Sequence, residues 1–124
     1  MSNTPLLLLD NSSMISVVNH GSFKCSDLTF AEAKAILEMH EEDDVLQCFS
    51  NMDIQNIMFD FLGIEKKNYT YKKIRDMKVM QDAIVFKLYT SPSETQPIIL
   101  TDKGTQAKKI QNVYVYCQLL SRIE

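Results

Sequence analysis

The chain has 124 residues, enough for one domain with a substantial core, residues 1–124. Hydrophobic residues make up 45% and charged residues 23%, the balance of an ordinary folded domain. The formal net charge of −3 excludes the global basic field of a duplex DNA or RNA binder.

Element by element, the chain alternates strands and helices. The apolar run Pro5 to Leu9 is too short for a signal-peptide core or a membrane span. It predicts a first strand, Leu6 to Leu9, buried on both faces, in a cytoplasmic protein. Asn11, Ser12 and Ser13 follow with hydroxyl and amide groups. They can cap a short helix from Met14 to Val18, or offer a helix start to a phosphate. After a turn at Asn19–Ser22, Phe23 to Leu28 reads as a second strand. Thr29 and Glu32 have the spacing of a capping box, so a helix begins there, buries Ala33, Ile36 and Leu37 and runs to about His40. The acidic run Glu38 to Asp44 lacks calcium-loop spacing and reads as a solvated turn. Val45 to Phe49 is a third strand.

The second half is less regular. Asp53 is the expected cap of a helix from Ile54 to Leu62, in which Ile54, Ile57, Met58, Phe61 and Leu62 keep helical spacing. Gly63 is placed to end it. Tyr69 to Met77 and Ala83 to Tyr89 are predicted strands. The segment Ser91–Pro97 is a loop because its two prolines cannot sit in a central strand. Thr101 to Ile110 reads as a weak helix and Val113 to Leu119 as a final strand.

Chemistry-bearing residues are few. Cys25, Cys48 and Cys117 are odd in number and widely spaced, so buried free thiols are expected, with no metal site. His20 and His40 have no partner at catalytic spacing. No Walker loop, G-x-G-x-x-G, G-x-S-x-G or H-E-x-x-H motif occurs, and no cofactor is expected. One stretch stands out: Lys66, Lys67, Lys72, Lys73, Arg75 and Lys78 interleave with Tyr69 and Tyr71. Lysines with aromatics suit phosphates and stacked bases. The same residues also suit an edge strand that resists aggregation. On a strand, Tyr69, Tyr71 and Lys73 would share one face.

Four segments, in order, resemble one family. Leu28-Thr29-Phe30-Ala31-Glu32-Ala33-Lys34 is similar to its L-S/T-x-x-E-A-K/R helix start. Phe49-Ser50-Asn51, with Leu62-Gly63-Ile64-Glu65 after the helix, is similar to its I-G-H-x-x-T…L-L-G-I/V segment. Asp82 to Leu88 is similar to its D-R-A-L-V-x-x-L strand, and Cys117 to Ile123 to its terminal F-G-L-L-S/T-R-I/L. Leu8-Asp10-Asn11 falls where that family has L-x-N. The chain thus resembles the type III anti-CRISPR ring nucleases of archaeal viruses and their bacterial relatives. The resemblance implies an α+β fold, a single compact domain with a mixed β-sheet flanked by helices. It also implies a two-fold homodimer whose cleft binds cyclic tetra-adenylate. Members cleave that ring without metal: a ribose 2′-hydroxyl attacks the phosphate, a histidine protonates the leaving oxygen, and an arginine and a glutamate assist.

The departures set the functional expectation. Asn51 stands at the histidine position, and an amide is no general acid near neutrality. The arginine position falls near Ser91, the glutamate matches Glu94, and Asn68-Tyr69 stands where the family has an N-R pair. His20 is the one residue that could replace the acid, and only if the fold brings it to the cleft. The expectation is a protein that binds a cyclic oligonucleotide messenger of antiviral defence and sequesters or senses it without efficient cleavage. Its ligand residues would be Asn11, Ser12, Ser13, Asn51, Asn68, Tyr69, Lys72, Lys73 and Glu94, with no membrane or duplex DNA partner. One alternative is an active metal-independent ring nuclease. The other is a non-catalytic dimeric protein that targets a host or viral protein, to which Tyr114 and Tyr116, exposed on the terminal strand, would contribute.

Overall fold

Four consecutive leucines dictate the centre of the molecule. In the computed structural model, which describes residues 4–19, 21–90, 108–110 and 113–124, strand β1 (Leu6–Leu9) is buried at every position. Full burial of one leucine side chain stabilises the fold by about 2 kcal/mol, so this strand cannot lie at an edge. It pairs in parallel with β3 (Val45–Gln47) on one side and β5 (Asp82–Thr90) on the other. A strand walled by parallel neighbours needs cover on both faces, which explains its unbroken apolar sequence.

The remaining strands extend the sheet outward. The order is β2-β7-β5-β1-β3-β4, with β2 at Phe23–Leu28, β4 at Thr70–Tyr71 and β7 at Val113–Arg122. The short β6 (Lys108–Ile110) also pairs with β7. Strand β4 is parallel to β3, whereas β7 runs antiparallel to β2 and β5, so the sheet is mixed.

Period-two alternation sorts the core onto the two faces. Leu6, Leu8, Ile84, Phe86, Val115 and Cys117 face helices α2 (Phe30–Glu38) and α3 (Met52–Leu62), through Ala33, Leu37, Met58, Phe59 and Phe61. Leu7, Leu9, Ala83 and Val85 face the other way, onto Val17 of α1 (Asn11–Val17) and onto Met77. The single domain with a mixed sheet flanked by helices is therefore as expected from sequence. Among the described residues, no helix is long and apolar enough to cross a membrane.

Local signals explain most boundaries. Thr29 and Glu32 make the reciprocal capping box, with bonds of 3.1 and 2.9 Å. Gly63 adopts φ +67, and its N–H closes α3 on the Phe59 carbonyl at 2.9 Å.

Several expectations need correction. Helix α1 begins at Asn11, not Met14, because Asp10 is its cap. Helix α3 begins at Met52, because Asn51 rather than Asp53 is its cap. The strand expected over Tyr69–Met77 shrinks to Thr70–Tyr71, since β3 is only three residues long and offers no ladder beyond Gln47. The helix expected to reach Ile110 is a strand at Lys108–Ile110, where β7 supplies a partner. Cys25 is exposed on the edge strand β2, whereas Cys48 and Cys117 are buried, and all three are free thiols. Tyr116, expected on the surface, is buried; the side chain of Tyr114 lies outside the described residues.

Candidate functional site

The chain reverses direction across the sheet between β1 and β3. From the carboxyl end of β1 it passes into α1 on one face. From the carboxyl end of the neighbouring β3 it passes into α3 on the opposite face. Two parallel strands whose following helices part in this way leave a crevice at their carboxyl ends, the usual ligand position in open α/β sheets.

Asp10 organises that crevice. It follows the last leucine of β1, is only 3% exposed, and caps α1. Its carboxylate accepts from the Ser13 N–H at 2.9 Å and from the Ser13 hydroxyl at 2.6 Å. It also reaches across to the loop after β3, accepting from the Ser50 hydroxyl and from the Ser50 N–H at 3.2 Å. Burial works against the charge, but the hydrogen bonds from the Ser13 and Ser50 side chains and then their backbones outweigh it, and the Asp10 pKa is lowered. Asp10 thus stays ionised and ties the two strand ends together.

Above this tie lies a crevice of about 140 Å³, lined by Ser12, Ser13 and Ser16 of α1, Cys48, Phe49 and Ser50 after β3, Tyr71 at the end of β4, and Lys73 and Ile74 after it. Ser12 and Ser16 share a helix face through their i, i+4 spacing. Tyr71 and Lys73 are exposed on the opposite wall. The Cys48 thiol on this lining is not a nucleophile at neutral pH: burial pushes its pKa up to about 12. The crevice runs on into an open groove of about 430 Å³, lined by Ser16, Asn19, Lys73, Ile74, Arg75 and Asp76.

The expected site residues separate into those gathered here and those held elsewhere. Ser12, Ser13 and Lys73 line the crevice. Ser13 is committed to the capping box, and the Asp10 carboxylate already occupies the start of α1, so that helix end is not open to a phosphate. Asn11 turns to β5 instead, with bonds of 2.9 and 3.2 Å to the backbone of Leu88. Asn51 is exposed one residue beyond Ser50, where its side-chain carbonyl accepts from the Asp53 N–H at 2.8 Å. Lys72 is exposed beside the crevice but does not line it.

Tyr69 and Asn68 belong to a different region. Tyr69 packs on Phe59 with ring centroids 5.8 Å apart, and burial followed by the Glu42 charge raises its pKa. The Asn68 N–H donates to Glu42 Oε2 at 2.6 Å. Tyr69 therefore does not share a face with Tyr71 and Lys73, because the strand that would align them starts only at Thr70. His40 lies at the end of α2, its Nδ1 2.8 Å from the Ile36 carbonyl, and not at the crevice. His20, Ser91 and Glu94 lie outside the described residues.

Asp10, Ser16, Ser50 and Arg75 were not among the site residues expected from sequence. Two of them carry a readable signal. Asp10 sits three positions before Ser13, the spacing of a capping box, and Ser16 repeats Ser12 at one helical turn. No family model matches the chain, and no curated protein matches it.

Proposed function

We propose that this protein binds a cyclic oligonucleotide messenger in the crevice at the carboxyl ends of β1 and β3, and sequesters or senses it without efficient cleavage. The observation carrying this reading is the composition of the crevice at that reversal point: hydroxyls on one wall, an exposed tyrosine and lysine on the other. The Lys73 ammonium suits a phosphodiester oxygen. The Tyr71 ring offers a stacking surface to a base, and the Ser12 and Ser16 hydroxyls can both donate and accept toward ribose or base edges.

Asn51 favours holding over cutting. It caps α3 next to Ser50 of the crevice, and in the sequence resemblance it stands at the ring nucleases' histidine. An amide there can contact a ligand but cannot deliver a proton to a leaving oxygen, a loss of about 10²–10⁴ in rate. In this reading the protein acts as a homodimer, with two crevices facing one symmetric ring.

Calorimetry with cyclic di-, tri-, tetra- and hexanucleotides, with ligand fate followed by mass spectrometry, tests the proposal. Binding of one ring, recovered intact, is the expected result. Linear products would turn the reading into an active ring nuclease. A panel with no binder would overturn it in favour of a protein partner.

A further inference from the structure

The crevice does not end at Lys73. Its open extension runs along α1 past Ser16 to Asn19, and its other wall carries Lys73, Arg75 and Asp76. Lys73 and Arg75 both line this groove although they lie only two residues apart, so their Cα atoms are separated by at most about 7 Å. Neither is drawn into an ion pair by another described residue. Two cations with different heads, a point charge and a planar fork, thus stand in sequence along one wall, with the Asp76 carboxylate beside them. Two cations that line one groove side by side can each meet a separate phosphate of one strand.

We propose that this extension is an outer phosphate subsite in which Arg75, next to Lys73, makes the protein select its ligand by the number of successive phosphodiesters. The inference rests on the nucleotide reading of the crevice and adds to it a specificity-determining residue. A ligand with a single phosphodiester fills the inner crevice and reaches Lys73 alone. A longer one lays its next phosphate on the Arg75 guanidinium, where two parallel N–H···O bonds are available. Asn19 on the opposite wall adds a neutral donor and acceptor. Asp76 works in the other direction: its carboxylate also lines the groove and repels a phosphate there, which keeps the outer subsite weaker than two cations alone would make it.

The test uses the full chain and fluorescently labelled linear oligoadenylates of two, four and six nucleotides, titrated at several salt concentrations. Wild-type protein is expected to bind the longer probes about tenfold more tightly than the dinucleotide. Arg75→Ala removes this preference and leaves dinucleotide affinity unchanged, and Arg75→Lys restores part of it. On the hexanucleotide, Arg75→Ala also lowers the slope of log affinity against log salt by about 0.7, the signature of one lost phosphate contact on a single strand. Asp76→Asn tightens the longer probes only. Both side chains are exposed, and unchanged thermal unfolding of each variant confirms that the fold is intact. Equal binding of all three lengths by the wild type, or an equal loss on all three in Arg75→Ala, overturns the outer subsite while leaving the crevice reading in place. Absence of binding to linear probes and to the cyclic panel alike overturns both.

Discussion

Two clefts on this molecule differ in every property that matters for a ligand. The larger, about 610 Å³, lies beside the end of α2 and is lined by Glu38, Glu41, Glu42 and Glu65, with Lys67, His40 and Tyr69. The smaller lies where the chain reverses across β1 and β3 and is lined by serines, Tyr71 and Lys73. In the first, four carboxylates join the negative end of the α2 dipole, and an anionic ligand is repelled. In the second, the one buried carboxylate is consumed by four hydrogen bonds, and the exposed charge on the lining is positive. Volume is therefore a poor guide here. For the proposed anionic ligand, topological position and the sign of the accessible charge favour the smaller cleft.

The sharpest way to break this comparison is to remove Asp10, on which only the crevice depends. Asp10→Ala strands the Ser13 and Ser50 donors and is expected to cost about 3 kcal/mol of stability, read from urea unfolding. The pH dependence has a definite sign. A carboxyl whose folded pKa is lowered stabilises the fold above its unfolded value, near 3.9. That contribution is lost as pH falls through the folded value. Asp10→Asn should therefore flatten the acid limb of the stability profile relative to wild type.

Next in size, Lys73→Ala should weaken binding of the proposed cyclic ligand by about tenfold or more, whereas Lys67→Ala in the acidic cleft should leave it unchanged. Equal losses in calorimetry would erase the distinction between the clefts. Asn51→Ala removes a helix cap and should lower stability by about 1 kcal/mol in chemical denaturation. Smallest, Glu42→Gln touches an exposed contact to the Asn68 N–H and should change stability by less than about 1 kcal/mol. A thiol reagent at neutral pH provides a separate check. Cys25 should label in the native state, whereas Cys48 and Cys117, with pKa values pushed up to about 12 by burial, should label only on unfolding.

Features governed by neighbours in sequence were legible in advance. The four leucines announce a doubly covered strand, Thr29 and Glu32 announce a helix start, and the spacing of Ile54 to Leu62 with Gly63 announces a helix and its end. The site was legible only in pieces. Lys73 is visible as part of a basic stretch, but its separation from Tyr69 depends on where β4 finds a partner in β3. The cap of α1 is legible in the local Asp10–Ser13 spacing, but the bond of Asp10 to Ser50, forty positions away, is not. Lys108–Ile110 became a strand because β7 was there to pair with it, a tertiary fact that overrides weak helical propensity. Tyr116 is buried for a similar reason: β7 lies inside the sheet between β2 and β5.

The central position of β1 also sets a timetable for the nascent chain. Its parallel partner β5 is far away in sequence, and the Asn11–Leu88 bonds beside that pairing span 77 positions. During synthesis Leu6 to Leu9 emerge before β3 and well before β5, and both edges of the strand are paired only when β5 has been made. Such distant pairing closes slowly, and an apolar strand left waiting is a hazard for aggregation. The order of synthesis, as much as the finished sheet, therefore makes Leu6 to Leu9 a segment that gains from assisted folding.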